Sequence, residues 1–158
     1  MEYTEFLENK SQLGGDHGFD PVWMPDFLFD FQEDLLNWAI KKGRAAIFAD
    51  CGLGKTPMQL VWAENVVRKT NKNVLILAPL AVSAQTQKEA DKFGIEISRS
   101  KDGSIKKNIT ITNYEKLDHF NPSDFVGVVC DESSILKNFD GKRRKAITEF
   151  IKKMPYRL

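Results

Sequence analysis

Three short, unbroken apolar runs constrain this chain more than any other feature: AAIFA (45–49), NVLILAP (73–79) and FVGVVC (125–130). None alternates with polar residues, so each reads as a strand buried on both faces. The stretches between them change to helical spacing. FLFDFQEDLLNWAIKK (27–42) places Phe31, Leu35, Trp38 and Ile40 near one face and closes at Gly43. A helix over 55–68 carries Met58, Val61, Trp62 and Val66 on one side, and further helices are expected over 80–93 and 141–153. IEIS (95–98) and NITIT (108–112) are strand-like and alternating, separated by the polar turn RSKDGSIKK. Strands that alternate with helices, and are apolar throughout, predict a three-layer α/β domain around a mainly parallel sheet.

The 158 residues suffice for one domain, with 42% hydrophobic and 28% charged residues. Residues 1–26, rich in glycine, proline and scattered aromatics, read as an irregular arm with one short helix over 3–10. The domain proper is expected over 27–158. A formal charge of +1 excludes a global basic field. The local clusters KRRK (142–145) and the lysines of 101–107 read as solvated faces. Two cysteines, Cys51 and Cys130, give neither a disulfide framework nor a metal-binding spacing, which points to a reducing cytoplasm. No apolar run reaches membrane-spanning length, and the acidic, polar start is unlike a signal peptide, so no membrane partner is expected. His17 and His119 lack partners at ligand spacing.

Chemistry concentrates after two of the apolar runs. AIFADCGLGKT supplies a strand, a glycine-rich turn and a helix start, the order in which backbone N–H groups and a helix dipole surround a phosphate. Ala49, Asp50, Cys51, Gly52, Leu53 and Gly54 form the cradle, with Gly52 and Gly54 allowing close backbone approach. Lys55 would reach the β- and γ-phosphates, and the Thr56 hydroxyl would hold Mg²⁺. Pro57 falls in the first helical turn, where a missing N–H costs little. The run ending VVCDESS places Asp131 and Glu132 at the carboxyl edge of the sheet. Asp131 would bind Mg²⁺ through water, and Glu132 would orient and deprotonate an attacking water. If the strands bearing Cys51 and Cys130 are near neighbours, the two sulfurs lie close to the nucleotide.

These motifs together resemble the first RecA-like domain of superfamily II helicases and translocases, in the branch that includes the chromatin-remodelling ATPases, with a likeness to compact phage and prophage helicases. LFDFQEDLLNW resembles the Q motif, which implies that Gln32 reads an adenine edge. ADCGLGKT resembles motif I in its alanine-first form. LAPLAVSAQTQKEADKF resembles motif Ia and ITNYEKL motif Ib, which implies nucleic-acid contacts around Pro79, Ser83, Gln85, Thr112 and Asn113; hydroxyls and amides suit sequence-independent phosphate contacts. DESSILKN resembles motif II of the remodeller-like branch. The resemblance implies an ATP-binding, Mg²⁺-dependent ATP hydrolase domain that acts on DNA, or on RNA. It also implies a second RecA-like domain to supply an arginine finger, and the chain reaches only PYRL, the beginning of another strand, before motif III. A non-catalytic DNA- or partner-binding module derived from such a domain is the alternative. An unrelated phosphate-loop enzyme such as a small kinase fits less well, because Gln32 and the ordered Ia and Ib stretches have no place in it.

Overall fold

A computed structural model describes residues 17–45, 55–131 and 139–158. Helices α1 (Asp30–Lys42), α2 (Lys55–Thr70), α3 (Leu80–Phe93) and α4 (Gly141–Lys152) flank five strands: β1 (Val74–Leu77), β2 (Ile97–Arg99), β3 (Ile109–Thr112), β4 (Gly127–Cys130) and β5 (Tyr156–Arg157). The strands form one sheet in the order β2-β3-β1-β4-β5, with every pairing parallel. The expected α/β architecture is therefore present. The expected helix over 3–10 and most of the run 45–49 lie outside the described residues.

Side-chain parity along the strands sorts the core into two halves. Val74 and Ile76 of β1, Ile109 and Ile111 of β3, and Val129 of β4 face α1, α2 and α3. Leu75, Leu77 and Val128 face the other way, against Tyr114, Leu117, Phe120, Ile147 and Phe150. Both faces are thus covered, which is why the strand sequences are apolar throughout. β3 alternates in residue type but not in exposure: Thr110 and Thr112 are buried like Ile109 and Ile111. Its central place in the sheet overrides the amphipathic pattern.

Helix α2 is the centre of the first layer, with Leu60, Val61, Trp62 and Ala63 fully buried. It packs over Gly127 of β4, where an added Cβ would reach ordinary contact with the Trp62 ring at 3.6 Å and press slightly on the Val74 side chain of β1 at 3.3 Å. Helix α3 begins after Pro79 and ends at Gly94, whose φ of 74° is the left-handed stop that glycine adopts freely.

The 17–26 segment is docked against this layer. His17, Gly18 and Phe19 donate backbone hydrogen bonds to the carbonyls of Lys42, Lys41 and Ile40 at 3.0, 3.1 and 3.1 Å, satisfying the end of α1. Contact is so close that a Cβ on Gly18 would fall 1.8 Å from the Ile40 oxygen. The carboxamide of Asn65, fully buried in α2, accepts from Val22 and Trp23 N–H at 2.9 and 3.0 Å and donates to the Trp23 carbonyl at 2.9 Å. Phe19 packs edge-on against Tyr156, and the Arg68 guanidinium lies 4.5 Å over the Trp23 ring.

At the opposite border of the sheet, the residues PYRL do form a strand. β5 bonds β4 on one side, and on the other Arg157 pairs in parallel with Arg44. The Arg157 N–H bonds the Gly43 carbonyl at 2.7 Å, and the Arg157 carbonyl accepts from Ala45 at 3.1 Å. β5 therefore lies between β4 and the chain at 44–45. Cys51, and with it the expected closeness of the two sulfurs, lies outside the described residues.

Candidate nucleotide site

Every strand of a parallel sheet ends on the same edge, and the carboxyl edge here gathers the chemistry-bearing residues. In register, Leu77 of β1 lies beside both Thr112 of β3 and Cys130 of β4. Asn113 and Asp131 follow β3 and β4 directly, and Pro79 lies two residues past β1. Lys55 and Thr56 open α2, and no acidic residue occupies that helix's first turn to oppose an anion.

Two residues separated in sequence meet there. The Lys55 ammonium lies 2.9 Å from Asp131 Oδ1, with the aspartate side chain 7% and the lysine side chain 24% exposed. A carboxylate this buried requires a partner. It has a second one: Gln59, one turn along α2, donates Nε2 to the same Oδ1 at 3.0 Å. The Asp131 main chain is held as well. Its N–H donates to the Leu77 carbonyl at 2.8 Å. Its own carbonyl accepts from the Tyr114 hydroxyl at 2.9 Å.

Gln59 and Tyr114 were not among the residues singled out in the sequence. Gln59 had a signal, as a polar side chain four residues after Lys55 on an otherwise apolar stretch of helix. Tyr114 had a weaker one, an aromatic with a polar tip inside ITNYEKL.

The half-buried Cys130 adjoins Asp131. Burial pushes its thiol up to about 12, partly offset by the neighbouring Tyr114 hydroxyl. A thiol raised in this way stays protonated at physiological pH.

The remaining expected site residues divide as follows. Gln32 sits in the first turn of α1, 3% exposed, with its carboxamide oxygen accepting the Phe29 N–H at 2.8 Å. That bond satisfies an N-terminal donor of the helix. Gln85 is exposed on α3 and Pro79 partly exposed, whereas Ser83, Thr112 and Asn113 are buried. The Asn113 side-chain oxygen accepts the Lys116 N–H at 3.1 Å and starts the 3-10 turn Tyr114–His119. Ala49, Asp50, Cys51, Gly52, Leu53, Gly54 and Glu132 lie outside the described residues.

No protein-family model matches the chain, and no curated protein matches it. Solved structures do. One is the UvsW helicase from bacteriophage T4, at 14% identity and a TM-score of 0.70, covering 99% of this chain and 58% of that one. Another is the Sulfolobus solfataricus SWI2/SNF2 ATPase core domain, at 20% identity and a TM-score of 0.65, covering 87% of this chain and 34% of that one. The chain shares the RecA-like α/β fold of these structures. The chain spans less than two thirds of either protein. Among the described residues, no helix is long and apolar enough to cross a membrane.

Proposed function

We propose that this chain is the ATP-binding domain of a nucleic-acid-dependent ATPase of the helicase or translocase type, acting on DNA. The Lys55–Asp131 pair at the carboxyl edge of the sheet carries the reading. It sets the lysine of a phosphate-loop sequence against the acid of a strand-end acidic pair, although the two are far apart in the chain. The donor set suits Mg²⁺, since a Thr56 hydroxyl and an Asp131 carboxylate are hard oxygen ligands. When bound, the ion would neutralise charge developing on the transferred phosphate.

The chain's own residues would then act in order. Lys55 would release Asp131 and turn its ammonium to the β- and γ-phosphates. Gln59 would keep its hydrogen bond to Asp131, so that the carboxylate stays in place as its ion-pair partner leaves. Glu132 would orient the attacking water. Pro79, Ser83, Gln85, Thr112 and Asn113 would contribute to the nucleic-acid surface, and Gln32 to the adenine. A second RecA-like domain would supply the arginine finger, so hydrolysis by this domain alone should be slow.

Titration with a fluorescent ADP in Mg²⁺ tests the assignment. Lys55→Ala should weaken binding by about tenfold or more, as expected for loss of a charge-assisted contact. Equal affinities in wild type and variant would remove the nucleotide site.

A further inference from the structure

The nucleotide edge and the segment assigned to nucleic acid meet at one hydroxyl. Tyr114 is 1% exposed and starts the 3-10 turn immediately after Thr112 and Asn113 at the end of β3. Its ring is fixed within the second half of the core, near Leu117 and 6.2 Å from the Phe139 ring centroid. Its hydroxyl crosses to the neighbouring chain segment and donates to the Asp131 carbonyl at 2.9 Å.

The Asp131 main chain is thus held at two points, its N–H and its carbonyl. Its N–H is tied to Leu77 in the sheet, and its carbonyl is tied to a side chain whose backbone belongs to the 113–119 turn. The carboxylate can move only as far as this main chain lets it. Asn113 sets where the turn begins, because its side chain caps Lys116. A shift of the turn would carry the Tyr114 ring, and through it the carbonyl of Asp131.

We propose that Tyr114 is a positioning residue that fixes the Asp131 carboxylate for Mg²⁺ and makes that position depend on the 113–119 turn. The inference rests on the nucleotide-site reading above.

The test is nucleotide binding by the full chain over a series of Mg²⁺ concentrations, wild type against Tyr114→Phe, which keeps the ring and removes the hydroxyl. The Mg²⁺ concentration at half-saturation should rise about three- to tenfold, the range that loss of one buried hydrogen bond produces. Affinity measured in EDTA should be unchanged. Two results overturn the proposal: an unchanged Mg²⁺ requirement, or equal weakening with and without Mg²⁺, which would mark Tyr114 as part of the core and nothing more. Wild type that binds nucleotide in neither condition would remove the nucleotide-site reading, and this inference with it. Wild type that binds normally beside an unaltered variant would overturn the inference alone.

Discussion

At Asp131 a single carboxylate oxygen accepts from two donors of different character, a mobile ammonium and a neutral amide fixed on α2. The distinction matters for the proposed site, where only the amide would stay as a phosphate drew the lysine away. Gln59→Leu keeps the volume of the side chain and removes that donor. It should destabilise the protein by about 1.5–3 kcal/mol, the cost of losing a hydrogen bond to a buried charge, read as a lower urea midpoint. Its neighbour Cys130 gives a pH test with a defined sign. Burial raises the folded thiol to about 12 from an ordinary value of 9.0. The unfolded chain therefore loses this proton first, and the thiol's contribution to stability declines as pH rises from about 9 toward 12. Cys130→Ala should remove that part of the slope, seen by comparing the urea midpoints of variant and wild type at pH 8 and pH 10. An identical slope in both proteins would contradict the burial of this thiol.

Among elements, the docked segment 17–26 and helix α1 depend on one another. Gly43 has a φ of 73°, and a Cβ there would lie 2.6 Å from the Gly18 nitrogen. Gly43→Ala should cost about 1 kcal/mol for the left-handed conformation alone, and more for the clash. Asn65→Leu removes three hydrogen bonds between α2 and the segment at Val22 and Trp23. It should speed proteolytic cleavage within 17–26 well before the melting temperature changes comparably. The elements themselves were largely legible in the sequence. Pro79 and Gly94 bracket α3 at the expected bounds, and the apolar runs announced a sheet covered on both faces. Pairing order was not legible, because nothing in YRL names Gly43 and Ala45 as its partners. The same limit hid part of the site. Lys55 and Asp131 could be read from local motifs, whereas the bonds of Gln59 and Tyr114 to Asp131 exist only once α2, β3 and β4 are in place. Gln32 had a clear local signature, and its carboxamide oxygen also serves the start of its own helix.

For the whole molecule, sequence identities of 14% and 20% to structures of the same fold show how little of a RecA-like architecture depends on particular residues. What persists is the arrangement: parallel strands, two covered faces, and one edge where loops collect. β5 ties that arrangement together on its other side, since the Arg157 N–H points to Gly43 while those of Tyr156 and Leu158 point to β4. Arg157→Pro should therefore cut the link to Gly43 selectively. Faster amide hydrogen exchange at Ala45 is expected relative to Arg157→Ala, which loses the same side chain but keeps the N–H. Exchange at equal rates would show that the link is not needed. The position of β5 also has a consequence in time. Arg44 reaches across to Pro155, 111 positions later in the chain. On a ribosome, β1, β3 and β4 could pair as they emerge, but the chain at 44–45 has no described sheet partner until residues 156–158 have been made. The contact that joins Arg44 and Ala45 to the sheet therefore forms only after β1, β3 and β4 have emerged, so the Ala45 amide should be among the later of the described amides to gain protection during folding.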